Sequence, residues 1–208
     1  MDDLIKRCQQ GDVDAFGILV ERYGAKAIRT AYLITGRRDM AEDIAQEAFI
    51  QCYREIKQLR NPEMFQPWFY RILSRLSWRH TAKEKGQVSL EALADSDQKL
   101  LVDDPDLAAA VEAKLKQSAV QEAIGRLNAP LRTTIVLYYF NELSIKEIAQ
   151  VLGCREGTIK SRLHNARKQL ARELQQNGLE PSSQEEREYL GQQDGVQQPR
   201  KEWEANAI

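Results

Sequence analysis

Histidine is almost missing from this chain, with two among 208 residues, and cysteine is scarce, with three. His80 and His164 lie far apart, and Cys8, Cys52 and Cys154 fall outside any CxxC or Cys/His spacing. Zinc sites, structural disulfides and His-based hydrolase triads are therefore not expected. Cys52 and Cys154 read as small buried residues. There is no glycine-rich phosphate loop, and no cofactor or metal is implied. No apolar run approaches the roughly 18 residues of a membrane span, and the opening MDDLIKR lacks a signal peptide's apolar core. These absences predict a cytoplasmic protein that is no enzyme and has no direct membrane insertion. A formal net charge of −1 argues against an unselective nucleic-acid coat, so charge has to be weighed segment by segment.

The most legible stretch is SIKEIAQVLGCREGTIKSRLHNARKQLAREL, from Ser144 to Leu174. Ser144 and Glu147 form a capping-box pattern, and Ile145, Ile148, Ala149 and Leu152 repeat at helical spacing until Gly153 stops the helix. A second helix carries the narrow stripe Ile159, Leu163, Ala166, Leu170 and Leu174. This is a helix-turn-helix, whose two helices cross steeply. Advancing about 100° per residue puts Gly157, Ser161, His164, Asn165 and Lys168 opposite the stripe, with Thr158, Lys160, Arg162 and Arg167 on its flanks. Between Arg155 and Arg172 six bases face the single acid Glu156. Major-groove recognition needs such a surface: cations for phosphates, and short or hydrogen-bonding side chains for base edges.

Upstream, Leu4 and Ile5 open a short helix ending near Gly11. Asp12 is positioned as N-cap for a longer one, with Ala15, Phe16, Leu19, Val20 and Tyr23 inward, that runs to Gly36. From Asp39 to about Leu59 a regular helix carries Ala41, Ile44, Ala45, Ala48, Phe49, Cys52, Tyr53 and Ile56 on one face. Glu42, Asp43, Gln46, Glu47, Gln51 and Arg54 lie opposite. After the break at Asn61 and Pro62, PWFYRILSRLSWRHTAKEK forms a basic aromatic helix with Phe65, Trp68, Phe69, Ile72 and Leu76 inward. Tyr70, Ser74, Ser77 and Trp78 then point away among Arg71, Arg75 and Arg79. Exposed aromatics among cations suit stacking on unpaired bases, and Trp78 is the better candidate, Trp68 belonging to the core. Beyond Gly86 an acidic segment reads as a linker. Helical pattern returns at about Leu107, and TTIVLYYF is expected as a buried helix rather than a strand. A polar tail closes the chain.

The expected fold is all-α: two small helical domains joined by a flexible acidic linker, the second containing the helix-turn-helix. The boundaries are 1–85, linker 86–110, 111–176, and a tail 177–208 expected to be disordered.

GDVDAF, AEDIAQEAFIQCYREI and WFYRIL, followed by LRTTIVLYYFNELSIKEIAQVLGCREGTIKSRLHNARKQL, resemble the sigma-factor family of bacterial RNA polymerase, in its small two-domain extracytoplasmic-function (ECF) group. The resemblance covers about Leu4 to Leu174. It implies that the first domain binds core polymerase and recognises and melts the minus-ten element, while the second reads the minus-thirty-five element. Asp43, Gln46, Glu47 and Phe49 match positions that dock on the polymerase clamp helices. Asn61, Glu63 and Met64, with Tyr70, Arg71, Ser74, Arg75, Trp78 and Arg79, lie where the family opens the minus-ten element and captures a flipped base. Arg155, Thr158, Lys160, Ser161, Arg162, His164, Asn165, Arg167 and Lys168 make up the minus-thirty-five face. The implied partners are core polymerase, promoter DNA and an anti-sigma factor. Arg75 and Arg79 stand where the family commonly has Asn and Asp, and Asn165 where it commonly has Arg. The alternatives are a free-standing helix-turn-helix regulator and an interaction adaptor with a degenerate DNA helix.

Overall fold

Helix-start chemistry fixes most of the elements. The computed structural model describes residues 1–85 and 118–176, with Glu84 and Lys85 as backbone only. The expected linker, the first residues of the second domain and the tail lie outside them. Among the described residues every regular element is helical. Helix α1 is Asp2–Gln9 and α2 Val13–Thr35, the latter capped by the Asp12 carboxylate, which accepts from Ala15 N–H at 2.9 Å. α3 is Arg38–Glu55, continued by a 3₁₀ turn, Ile56–Gln58, so the regular helix is shorter than its pattern predicts. Asn61 caps a second 3₁₀ turn, Pro62–Met64, leading into α4, Phe65–Lys85.

In the C-terminal half the described part of α5 spans 118–126. α6, Ala129–Ile135, is capped by Asn128 and has Pro130 in its first turn, where a missing N–H costs nothing. The apolar run expected as a helix is one, but it changes type: Val136–Phe140 winds as a π turn. The strand alternative fails because Thr133 and Thr134 bond back to the carbonyls of Ala129 and Pro130 at 2.8 and 2.7 Å, as buried helical threonines do. After the π turn Glu142 adopts a left-handed φ of 58°, a strained conformation for a residue with a Cβ. α7 is Ile145–Leu152 and α8 Glu156–Gln176.

Small and aromatic residues build the N-terminal core. Ala15, Ala27, Ala31, Ala41 and Ala48 are fully buried and let α2, α3 and α4 approach closely. Phe65, Phe69 and Phe49 fill the remaining space as an aromatic cluster, with Phe49 and Phe69 centroids 4.9 Å apart. Gln9 of α1 donates to the carbonyls of Ile56 and Leu59 at 3.1 and 2.6 Å, fastening the first helix to the end of α3.

This core does not stop at the domain boundary. Leu127, Ile135, Leu137, Ile148 and Ile159 belong to the same contiguous buried cluster as the N-terminal residues. A second cluster joins Leu33 and Ile34 of α2 to Ile124 and Val136. α2 packs on α6 and the π turn, and α4 packs on α7. Arg132 provides the polar clasp. Its guanidinium donates to Leu127 O at 3.0 Å and to Ile34 O at 3.2 Å, so one cation closes the carbonyl ends of α5 and α2. Burial pushes its pKa down from the usual arginine value, which for this group leaves the charge intact. No helix among the described residues is long and apolar enough to cross a membrane.

Candidate nucleic-acid and polymerase interface

α7 presents α8 on a short, well-terminated lever. Ser144 Oγ accepts from Glu147 N–H at 3.3 Å while the Glu147 carboxylate accepts from Ser144 N–H at 2.8 Å, completing the predicted capping box. Gly153 ends α7 with φ 63° and returns its N–H to Ala149 O. Ile159, Leu163 and Ala166 are buried as the stripe requires, with Leu170 and Leu174 only partly so. Cys154, expected to be buried, is half-buried because it sits at the turn between the two helices.

The outward face of α8 matches the angular reading. Arg155, Thr158, Lys160, Ser161, His164, Asn165 and Lys168 are exposed. The two remaining candidates are not. Arg162 is half-buried. Arg167 is half-buried and held inward: its Nε donates to the Tyr139 hydroxyl at 2.9 Å, and its guanidinium lies 5.8 Å from the ring centres of both Tyr138 and Tyr139. Arg167 therefore serves the packing of α8 on the π turn, which a phosphate contact would compete with. An exposed ion pair from Arg126 to Glu173, 2.7 Å, ties α5 to the far end of α8.

α4 shows the main departure from the sequence reading. Arg71, Arg75 and Arg79 are exposed, as are Asn61 and Glu63, with Met64 half-buried. Tyr70 and Ser74, expected to point away from the core, are each 1% exposed, and Ser77 is fully buried. Trp78 is half-buried and donates its indole N–H to Thr133 Oγ1 at 3.0 Å. Tyr70 packs edge-on against Phe69 at 5.7 Å, so it remains in contact with the N-terminal core. It also faces Asn141, and Trp78 meets Thr133, so at these two positions the C-terminal half stands where solvent was expected, while Ser77 bonds back to Leu73 O at 2.8 Å. Burial raises the Tyr70 phenol well above its ordinary pKa.

On α3, Asp43 and Gln46 are exposed, but Phe49 is buried against Phe69, so its ring is part of the core rather than a free contact. The apolar groups on the outer side of α3 are Ile50 and Tyr53, 46% and 47% exposed. Tyr53, placed by its pattern in the buried stripe, packs edge-on against Phe16 at 5.0 Å. Spacing could have found Ile50, which follows Asp43 and Gln46 by seven and four residues. Glu47 reaches across to α4, pairing with Arg79 and accepting from His80 Nε2 at 2.9 Å. That hydrogen bond to His80, followed by the one to Arg79, holds the Glu47 carboxyl below its ordinary pKa. One carboxylate thus joins the side expected to meet polymerase to the helix expected to meet DNA.

Among the described residues no group of three or more His, Cys, Asp or Glu side chains could hold a metal ion. A capped helix-turn-helix with an exposed, polar and basic second helix, on an all-α scaffold with an acidic-faced α3 and a basic aromatic α4, defines a DNA-binding transcription protein. The model described as Sigma-70 region 2 matches residues 19–86, and that described as Sigma-70, region 4 matches 117–170. The ECF RNA polymerase sigma factor SigW of Bacillus subtilis is 36% identical over 176 residues, 82% of this chain and 94% of SigW. The RNA polymerase sigma-H factor of Pseudomonas aeruginosa is 31% identical, covering 83% and 92%. The chain belongs to the ECF sigma factors of the sigma-70 family. Its fold is shared with CnrH in complex with the cytosolic domain of CnrY, at 22% identity and a TM-score of 0.64, covering 85% of this chain and 97% of that one. It is also shared with the sigma factor RpoE in complex with the anti-sigma factor NepR from Bartonella quintana, at 22% identity and 0.59, covering 77% and 96%.

Proposed function

We propose that this sigma factor binds core RNA polymerase through the outer side of α3, reads the minus-thirty-five element with α8, and opens the minus-ten element with α4 and the Asn61–Met64 turn. The observation that carries the reading is the exposed set Lys160, Ser161, His164 and Asn165, displayed by a fully capped α7 in the same chain as the exposed arginines of α4. Arg155 and Lys168 supply phosphate contacts at either end. Asp43 and Gln46, flanked by Ile50, form the polymerase side. The chain makes or breaks no covalent bond in this scheme; it traps DNA that has been unstacked, at a cost of a few kcal/mol per step.

The buried Phe49 and the inward Arg167 shape and support these surfaces rather than touch a partner. Regulation by an anti-sigma factor is supported by the shared fold with RpoE, which was solved bound to NepR. Such an inhibitor would cover α3 or α8.

Run-off transcription from a pooled promoter library, with core polymerase alone and with the purified protein, tests the reading. Discrete start sites that require the protein are expected. Binding to core polymerase without new transcripts would point to an adaptor, and tight duplex binding without polymerase to a free-standing regulator.

A further inference from the structure

The turn assigned to the minus-ten element is held by a helix that the assignment does not include. α1 packs against both 3₁₀ turns, Ile56–Gln58 and Pro62–Met64. Ile5 and Cys8 seat α1 in the core against which the Met64 side chain also packs. From that seat the half-buried Gln9 sends one amide nitrogen to two carbonyls, Ile56 O at 3.1 Å and Leu59 O at 2.6 Å.

These carbonyls stand where α3 gives way to loop. Leu59 leaves the helical region with ψ 106°, so the direction of the chain into Arg60 and Asn61 is set at this residue. Beyond it the turn is closed locally. Asn61 Oδ1 accepts from Glu63 N–H at 3.1 Å, Asn61 O accepts from Met64 N–H at 3.0 Å, and Pro62 fixes its own φ. Such bonds give the turn its shape but not its direction. Gln9 supplies the direction, because it ties the entry of the turn to a helix seated in the core. Water can satisfy carbonyls at a helix end, so stability alone asks little of this side chain. What its two bonds add is a fixed position for the turn.

We infer that Gln9 is a positioning residue for promoter opening: it holds the Asn61–Met64 turn in the pose that captures an unstacked base. This rests on the assignment of that turn to the minus-ten element. Gln9 itself touches no DNA. By ordering the turn in the free chain, it spares the captured base the cost of ordering it.

Gln9→Leu keeps the bulk of the side chain and removes its donors, and Gln9→Lys offers donors to the same carbonyls again. Each is assembled with core polymerase and presented with forked DNA carrying the promoter found by run-off, its non-template strand unpaired across the minus-ten element. Gln9→Leu should bind the fork roughly five- to twentyfold more weakly, the loss expected from one or two hydrogen bonds. Affinity for core polymerase and for a fully paired minus-thirty-five duplex should stay within about twofold of wild type, and Gln9→Lys should recover most of the loss. Amide hydrogen exchange of the free protein should quicken at residues 60–64 in Gln9→Leu. Should Gln9→Leu fail to fold, Gln9→Ala, which lets water reach the carbonyls, should show the same split. Unchanged fork binding, or a loss shared by all three affinities, overturns the positioning role, as does a loss that Gln9→Lys leaves in place. Asn61→Ala with Met64→Ala tests the turn itself. If this pair weakens fork binding and Gln9→Leu does not, the turn assignment stands and the role of Gln9 falls. If the pair changes nothing, the assignment falls and takes that role with it.

Discussion

Glu47 shows how one side chain can be committed twice. Its carboxylate faces the polymerase side of α3 yet pairs with Arg79 and His80 of α4, and the His80 hydrogen bond leads in lowering its pKa. A carboxylate with a depressed pKa stabilises the fold fully above its ordinary value, near 4.3, and loses that contribution as pH falls through the lower folded value. Wild type should therefore melt above Glu47→Gln at about pH 6, and the two should converge towards about pH 3 in thermal unfolding. Convergence failing over that range would mean the pair contributes nothing. Arg167 and Lys168, adjacent in sequence, should separate in kind. Arg167→Ala should cost roughly 1–2 kcal/mol of stability by breaking its Tyr139 bond and its two ring contacts, leaving the salt dependence of promoter binding unchanged. Lys168→Ala should leave stability within about 0.5 kcal/mol and reduce the salt slope by about one. Denaturant unfolding and a salt titration of promoter binding check both halves of this statement.

Among the elements, the termini were legible because capping chemistry is local. Asp12, Asn128, Ser144 with Glu147, and Gly153 all sit where their side chains or their lack of one are needed. Ser144→Ala should destabilise by about 1 kcal/mol, measured by denaturant unfolding. The π turn was not legible: VLYYF is apolar throughout, so no polar position marks the slip in register. Its exit is strained at Glu142, an exposed residue held at φ 58°. Glu142→Gly should relieve that strain and raise stability by up to about 1 kcal/mol, although glycine also gains freedom in the unfolded chain. A lowered melting temperature would mean that the side chain of Glu142 does something the backbone argument omits.

At the scale of the molecule, the apolar pattern tells which face of a helix is buried but not what buries it. The N-terminal stripe of α4 was readable from Phe65, Phe69, Ile72 and Leu76. The second covered face was not, because Tyr70, Ser74, Ser77 and Trp78 are polar or amphipathic, and the same residues suit an interface with DNA or with protein. Arg132 and Asn141, the residues that seat the two halves, carried no signal at all, since their partners are a backbone carbonyl 98 residues away and a hydroxyl 111 residues away. With one core running across both halves, thermal unfolding should be a single cooperative transition by calorimetry, and Arg132→Met should broaden or split it.

Gly36 ends α2 with φ 75°, and a Cβ placed on it would lie 3.6 Å from Arg132 Nη1. A methyl there would sit in ordinary van der Waals contact with the guanidinium, and at this φ any residue with a Cβ is strained. A position in the first half of the chain is thus under the jurisdiction of a residue in the second. In evolutionary terms the two halves are not free to be shuffled among relatives as independent modules: a recombinant that takes its first half from one parent and its second from another keeps this joint only if residue 132 can still reach the carbonyl end of α2 beside Gly36.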